Sequence, residues 1–196
     1  MDKDIRVAIF GSGNGTNAQC IAEYFVQHQH IRIDCIVYNK REAYIAERAK
    51  KLGIASQYFN RKDFYESDRV LEYLRQRKAD YIVLAGFLWL VPDNLLNAYQ
   101  GRIVNIHPAL LPKYGGRGMY GDFVHESVIA HHEKESGITI HVIDNQYDQG
   151  TTLFQAKCEV SENDTPDTLA QKIHQLEHKH FPHVIESWIE QNEKKR

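Results

Sequence analysis

Short apolar runs alternate with segments of helical periodicity through the first hundred residues. The runs predict buried strands at 5–10, 31–38 and 81–85, with a weaker strand near 57–59. Between the strands, apolar residues three or four positions apart predict helices over about 16–28, 42–52 and 66–77. Because each right-handed crossover returns the chain in the same direction, this alternation predicts an α/β fold with a doubly wound, mainly parallel sheet.

The pattern changes after residue 100. A strand at 103–106 precedes 108–121, which is rich in glycine and proline and predicts a long loop. The segments 137–143 and 153–160 look extended, and these late strands are expected to pair antiparallel. Thr165-Pro166-Asp167 predicts the start of a long C-terminal helix to about Gln191, with a bend near Pro182. No repeat or linker interrupts the pattern, which predicts one domain over 1–196.

The composition excludes several classes of protein. The 196 residues are 42% hydrophobic and 26% charged with a net charge of −2, the balance of a globular chain. Without an excess of positive charge or a long apolar run, neither nucleic acid nor a membrane is expected as a partner. The start of the chain lacks a signal-peptide pattern and its three cysteines are scattered, so a cytoplasmic protein is expected.

A glycine-rich segment, Gly11–Asn17, links the first predicted strand to the first helix. Glycines let a backbone turn tightly beside a ligand, and a helix start presents N–H groups to an anion. The spacing is Gly-x-Gly-x-Gly instead of the dinucleotide fingerprint, and the second strand ends in Asn39-Lys40 without a carboxylate for a ribose hydroxyl. The segment therefore favours a small phosphorylated substrate over a nicotinamide cofactor. A glycine-rich turn without a ligand is the alternative.

Asn105 and His107 lie two positions apart at the end of a predicted strand, so their side chains point the same way. An amide beside an imidazole suits a reacting carbonyl, because one group can hold the oxygen while the other acts as acid or base. A structural histidine is the alternative. In the turn Asp144–Gly150, Asp148 becomes a catalytic candidate only if it folds next to His107.

Histidines are frequent in two further places. The C-terminal group can imitate a metal site, but no cysteine or His-Glu-x-x-His pattern supports one, and no metal is expected. This group comprises His174, His178, His180 and His183. The other group is expected at the surface or on the substrate side, and it comprises His125, His131 and His132.

Together these segments resemble the phosphoribosylglycinamide formyltransferase family, and the resemblance covers essentially the whole chain. It is carried by Gly13-Asn14-Gly15-Thr16-Asn17, Leu84-Ala85-Gly86-Phe87, Asn105-Ile106-His107-Pro108-Ala109-Leu110-Leu111-Pro112, Gly137-Ile138-Thr139-Ile140-His141 and Asp148-x-Gly150. The stretch from Asn105 to Pro112 is highly specific to folate-dependent formyltransferases and their hydrolase relatives, whereas the glycine loop alone is not. The fold implied is the Rossmann-like formyltransferase fold.

The resemblance implies an enzyme of de novo purine biosynthesis that transfers a formyl group from 10-formyltetrahydrofolate to the amine of N1-(5-phospho-D-ribosyl)glycinamide. Two small molecules are then the partners, with formyl folate as co-substrate and no metal. Asn105, His107 and Asp148 match the family's catalytic trio. Attack of the amine creates a tetrahedral oxyanion that Asn105 and protonated His107 are expected to stabilise. Asp148 is expected to favour protonated His107 and to order a water that relays the proton.

The resemblance also implies the binding residues. The substrate phosphate falls to Gly15, Thr16, Asn17, Ala18 and Gln19. The glycinamide end falls to His174, Gln175, Leu176 and Glu177, with Glu177 as the partner of its ammonium. The folate falls to Arg61, Leu88, Trp89, Leu90, Val91 and Asn105, and to Asp144, Asn145, Gln146, Tyr147 and Asp148. Residues 1–100 are then the ribonucleotide-phosphate-binding half, and 101–196 the folate-binding and catalytic half.

Two features depart from the family's pattern. After Tyr114 most members read Pro-Gly, whereas this chain has Gly115–Gly121 with Arg117 inside it, so the conformation of this loop is not predicted. Trp89 stands where many relatives have Arg or Met, which predicts a more apolar wall for the pterin.

Three rival functions follow from the same motifs. Methionyl-tRNA formyltransferase would need a further C-terminal domain, and formyltetrahydrofolate hydrolase an N-terminal regulatory domain, and neither is expected here. A catalytically silent nucleotide- or pterin-binding module is the rival from another class, and the presence of Asn105, His107 and Asp148 argues against it. The sequence leaves open whether the protein is a monomer or a homodimer.

Overall fold

The computed structural model describes residues 4–116, 118–143 and 150–195. Its chain forms two compact units, Met1–Ile103 and Val104–Arg196. The prediction of a single domain with a ribonucleotide-phosphate-binding half and a folate-binding, catalytic half stays a prediction.

The first unit alternates strands with helices. Its elements are β1 (Ile5–Gly11), α1 (Thr16–Phe25), β2 (Ile31–Tyr38), α2 (Ile45–Lys51), β3 (Ala55–Tyr58), α3 (Arg61–Tyr65), α4 (Arg69–Gln76), β4 (Tyr81–Leu84) and α5 (Asp93–Ala98). The strands have the order β3-β2-β1-β4, and each neighbouring pair is parallel. β4 is buried at every position and β1 at all but one, which is the pattern of strands covered on both faces.

Two short helices of this unit were absent from the sequence prediction. α3 begins with a capping box, in which Asn60 Oδ1 accepts from the N–H of Asp63 at 2.9 Å and Asp63 Oδ2 accepts from the N–H of Asn60 at 3.3 Å. This Asn-x-x-Asp spacing is a signal that could have located α3. α5 has only six residues, too few to show a helical period. Two predicted helices begin later than expected. The helix predicted over 66–77 begins at Arg69, and the helix predicted over 42–52 begins at Ile45.

The second unit holds the antiparallel strands. Its elements are β5 (Ile103–His107, starting at the unit boundary), α6 (Asp122–Ala130), β6 (Glu135–Val142), β7 (Thr152–Glu159) and α7 (Pro166–Glu193). β6 pairs antiparallel with both β5 and β7, so the prediction for the late strands is confirmed. α6 was not predicted, because its buried face contains His125 while Phe123 is exposed, and the contrast between its faces is weak.

Helix α7 begins where the sequence predicts. Thr165 is the N-cap, and its side chain accepts from the N–H of Thr168 at 3.3 Å. Pro182 lies inside the helix, which continues to Glu193. No helix in the described ranges is both long and apolar enough to cross a membrane. The predicted fold class, a doubly wound and mainly parallel sheet with late antiparallel strands and a long C-terminal helix, is confirmed.

Candidate active site

The glycine loop, residues 11–15, joins β1 to α1 in the first unit. Gly15 precedes α1 with φ 78°, in the left-handed region that glycine adopts readily. A Cβ at Gly15 would lie 2.8 Å from Cβ of Ile45, so α2 packs directly against the loop. The first N–H groups of α1, including those of Thr16 and Asn17, have no carbonyl acceptors within the helix. Such a helix start suits a phosphate.

Ser12 connects the glycine loop with the predicted folate wall, residues 88–91. Its N–H donates to the carbonyl oxygen of Gly86 at 3.0 Å, and its Oγ accepts from the N–H of Leu88 at 2.9 Å. Leu88 and Leu90 are 38% and 45% exposed, whereas Val91 is buried. In the first unit, the predicted phosphate-binding and folate-binding segments are therefore neighbours, and apolar side chains are open to a ligand beside them.

Arg61 lies beside the same wall. Its guanidinium carbon is 5.1 Å from the ring centroid of Tyr65 and 5.9 Å from that of Trp89. Cation–π attraction favours this position. The Tyr65 hydroxyl in turn donates to the carbonyl oxygen of Leu90 at 3.0 Å. The fold thus brings the predicted residues Arg61 and Trp89 into one cluster, and it adds Tyr65, which the sequence reasoning missed.

In the second unit, a backbone hydrogen bond determines which ring nitrogen of His107 carries the hydrogen. Nε2 of this buried ring lies 2.7 Å from the carbonyl oxygen of Tyr114. A carbonyl oxygen only accepts, so Nε2 carries a hydrogen and the lone pair of the neutral ring is on Nδ1. His107 can therefore gain or lose a proton at Nδ1. Tyr114 presents its carbonyl with φ 56°, which is uncommon for residues other than glycine.

Asn105 is oriented by His141 of the neighbouring strand. The two residues lie opposite each other in the β5–β6 pair, and Nδ2 of Asn105 is 3.1 Å from Nε2 of His141. An amide nitrogen only donates, so Nε2 of His141 accepts and its neutral ring carries the hydrogen on Nδ1. One of the two amide hydrogens of Asn105 is used in this way. The second can donate to a ligand.

The side chain of Thr139 forms hydrogen bonds with the segment that follows β5. Its hydroxyl donates to the carbonyl oxygen of Ala109 at 2.7 Å and accepts from the N–H of Leu111 at 3.0 Å and from Nε2 of Gln155 at 2.8 Å. These bonds use the donor and both lone pairs of the hydroxyl. Thr139 lies opposite His107. The chain that leads to Tyr114 is therefore tied to the strand pair that carries the imidazole.

A second buried imidazole, that of His125 on α6, belongs to the same unit. It is 4% exposed, so a surface position is excluded and the substrate side stays a prediction for it, whereas His131 and His132 are exposed. Burial lowers the pKa of His125, and the electrostatic effects of His174 and His107 lower it further, against the opposite effect of Asp122. His125 thus lies close enough to the predicted catalytic histidine and to the predicted glycinamide-binding segment for their charges to lower its pKa.

Glu177 interrupts an apolar stripe on α7. Glu177 is 6% exposed. Buried apolar residues lie four and eight positions before it and four and eight positions after it on the same helix: Leu169, Ile173, Phe181 and Ile185. A carboxylate is uncommon at a buried position and requires opposite charge or hydrogen bonds around it. His174 and Gln175 of the same segment are exposed.

The side chain of Gln19 is engaged within the first unit, because its Nε2 donates to Glu23 Oε1 at 2.7 Å and its Oε1 accepts from Arg48. Asp144–Asp148, including the predicted catalytic Asp148, and Arg117 lie outside the described residues.

Residues 5–185 match the family model described as Formyl transferase. The chain belongs to the formyl transferase family. It is 35% identical over 189 residues to "Phosphoribosylglycinamide formyltransferase" of Bacillus subtilis (strain 168), a match that covers 94% of each chain. The chloroplastic protein of that name from Arabidopsis thaliana is 36% identical over 197 residues, which cover 97% of this chain and 68% of the relative.

A solved structure extends the similarity to the fold. The phosphoribosylglycinamide formyltransferase of Streptococcus pneumoniae TIGR4 superposes with a TM-score of 0.83 at 36% identity, over 96% of this chain and 99% of that one. The predicted family is confirmed, and with it the prediction that the protein is a formyltransferase enzyme. Sequence reasoning did not assign His141 and Tyr114, which contact Asn105 and His107, or Thr139, which bonds the segment after β5.

The buried imidazole of His125 makes the stability of this formyl transferase depend on pH. Its pKa lies below the usual 6.5 in the folded state, so the unfolded chain binds the proton more readily. The contribution of neutral His125 to the free energy of unfolding is expected to be complete above pH 6.5. It should decrease as the pH falls below that value. Urea unfolding from pH 7.5 to pH 5.5 measures this fall.

A His125→Leu variant should show a shallower decrease than the native protein, because the buried titrating group is gone. His132→Asn, which changes an exposed histidine, is the matched control and should reproduce the native slope. An equally steep decrease in the His125→Leu variant would show that other groups cause the pH dependence.

Proposed function

We propose that the protein transfers the formyl group of 10-formyltetrahydrofolate to the amine of N1-(5-phospho-D-ribosyl)glycinamide, giving formylglycinamide ribonucleotide and tetrahydrofolate in purine biosynthesis. The observation that carries this proposal is the pair of Asn105 and His107 on one face of β5, each held by its own partner, in a chain of this family. Formyl folate is a co-substrate. The activated carbon comes with it, so no step needs a metal.

The ribonucleotide is proposed to bind through its two ends. The residues 15–19 hold the phosphate with the N–H groups at the start of α1. The residues 174–177 meet the glycinamide end, where the buried carboxylate of Glu177 pairs with the ammonium.

The folate is proposed to bind through Leu88–Val91 and Arg61, and through Asn105 and Asp144–Asp148. The exposed leucines of the first segment offer apolar contact to the pterin. The partners are small molecules and not nucleic acid. A cytoplasmic location, and a monomer or homodimer, complete the proposal.

The reaction follows from the hydrogen-bonding capacity of two side chains. The ammonium first gives one proton to solvent. The resulting amine nitrogen attacks the formyl carbon, the C–N bond forms, and the carbonyl oxygen becomes an oxyanion. The second amide hydrogen of Asn105 and a proton on Nδ1 of His107 donate to that oxygen. The tetrahedral carbon then expels N10 of the folate, which takes up a proton while the former amine loses one. Asp148 is proposed to favour protonated His107 and to order the water that relays this proton.

A direct assay tests the proposal against its rivals. The purified protein is incubated with 10-formyltetrahydrofolate alone and together with the ribonucleotide. We expect tetrahydrofolate to appear only when the ribonucleotide is present, in equal amount with the formylated product. Release of formate without an acceptor would indicate a hydrolase instead. A lack of turnover despite binding of both compounds would indicate a catalytically silent binding module.

The proposed division of the site predicts an asymmetric effect on binding. Asn17→Ala should mainly weaken the ribonucleotide, because it removes a donor from the first turn of α1. Leu90→Glu should mainly weaken the folate, because it places a charge on the apolar wall. Separate calorimetric titrations of each ligand against both variants measure the effects. Each variant is the control for the other, and the reverse pattern would overturn the assignment.

A further inference from the structure

Arg48 of α2 uses the three nitrogens of its guanidinium to bind the glycine loop and the start of α1. Its Nε donates to the carbonyl oxygen of Asn14 at 2.8 Å, and its Nη2 donates to Oδ1 of Asn14 at 2.9 Å. Its Nη1 donates to Oε1 of Gln19 in the first turns of α1. A planar guanidinium can make these bonds together because its N–H groups form a rigid fork. Arg48 therefore joins the loop to the helix that follows it.

Ile45, one turn before Arg48 on α2, completes the contact. Its N–H donates to the carbonyl oxygen of Gly13 at 3.1 Å. Its side chain occupies the space where a Cβ at Gly11 or Gly15 would lie, at 2.5 Å from Cδ1 and 2.8 Å from Cβ respectively. Residues three apart share one face of a helix. One face of α2 thus shapes the loop by apolar packing and holds it by charge-assisted hydrogen bonds.

A loop with glycine at every second position needs such a constraint. Glycine has more conformational freedom than any other residue, so ordering this loop at the moment of binding would reduce affinity for the phosphate. A contact that orders the loop beforehand removes that cost. The loop must also aim the first N–H groups of α1, and the bond from Arg48 to Gln19 sets the loop and the helix in one arrangement.

We propose that Arg48 is a positioning residue that holds the glycine loop in its phosphate-binding conformation. The proposal rests on the proposed function, since it assumes that the loop binds the ribonucleotide phosphate. Arg48 acts through Asn14 and Gln19, and the geometry of its fork is required, beyond its positive charge. The reaction at Asn105 and His107 is not expected to depend on it once the ribonucleotide is bound.

Two substitutions separate the fork from the charge. Arg48→Lys keeps the charge but has a single donor nitrogen, which cannot reach both atoms of Asn14 and Gln19 together. Arg48→Met removes charge and fork. We expect both variants to raise the KM for the ribonucleotide about tenfold, or about 1.4 kcal/mol of binding free energy. The kcat at saturation and the KM for formyl folate should stay within about twofold of native. The substitutions weaken binding of the ribonucleotide but remove no group that takes part in the reaction.

Lys50→Met is the matched control, because Lys50 is an exposed cation on the same helix. It should leave every constant unchanged. Asn14→Ala removes one acceptor of Arg48 at an exposed position, and it should raise the same KM about threefold even if the Arg48 variants fold poorly. In a double variant with Arg48→Met, Asn14→Ala should raise the ribonucleotide KM little further, because both changes remove the same interaction.

The outcomes distinguish this inference from the proposed function. No transfer by the native protein would refute the proposed function itself. Native transfer together with an unchanged ribonucleotide KM in both Arg48 variants would refute only the role of Arg48. A native KM in Arg48→Lys with a raised KM in Arg48→Met would show that charge suffices and would overturn the requirement for the fork. A fall in kcat with unchanged KM would place Arg48 in the chemical step and would also overturn the inference.

Discussion

A His107→Ala variant is expected to lose turnover by about 10²–10⁴-fold while remaining folded. The Tyr114 carbonyl holds Nε2 in its protonated form, so Nδ1 is the atom proposed to exchange a proton with the reacting groups. Alanine removes this acid and leaves β5 paired with β6 through backbone bonds. Steady-state kinetics with both substrates saturating measure the loss, and circular dichroism with thermal melting verifies folding.

An Asp148→Ala variant should fall in turnover alongside it, because both side chains are proposed to serve the same proton transfer. His132→Asn is the control for changing a histidine outside the site, and it should keep native turnover. Near-native turnover in either His107→Ala or Asp148→Ala would show that the proton takes another route.

Substitution of Asn105 by alanine is expected to reduce kcat by about 10²–10³-fold, or about 2.7–4 kcal/mol of transition-state stabilisation. The amide uses one hydrogen on Nε2 of His141, and the second is proposed to donate to the developing oxyanion. Since that charge exists only in the transition state, the loss should appear in kcat more than in either KM. Single-turnover measurements at saturation isolate this step from product release.

His141→Phe provides the comparison for this prediction. It keeps the amide of Asn105 but removes the acceptor that orients it, so a smaller loss than that of Asn105→Ala is expected. Asn105→Asp places a negative charge where the oxyanion forms and should be at least as harmful as alanine. If Asn105→Asp retained native turnover, the amide hydrogen would have no part in stabilising the transition state.

The candidate site divides into residues that sequence reasoning could reach and residues that it could not. Asn105 and His107 were found together because side chains two apart on a strand share a face. Tyr114 could not be found as the partner of His107, because it contributes a carbonyl oxygen that every residue possesses. Its position depends on a φ of 56° and on the bonds of Thr139 to the intervening loop.

The same division holds for secondary structure. Residues 165–168 form a cap within one turn, and the start of α7 was predicted correctly. α6 was missed since its helical pattern appears only when His125 is known to be buried. α3 was missed despite a local signal, the capping box of Asn60 and Asp63, so that omission was avoidable.

The sequence by itself determined the family, the mainly parallel sheet, the glycine loop and the shared direction of Asn105 and His107. The glycine loop and the shared direction of Asn105 and His107 rest on spacing within a few residues, where backbone geometry sets which groups meet. The sheet rests on the alternation of strands and helices, and the family on a resemblance over the whole chain. Only the tertiary structure decided that His141 accepts from Asn105 and that Arg48 grips Asn14, across 36 and 34 residues respectively. Such contacts depend on strand register and on how α2 packs against the glycine loop, and local spacing carries neither.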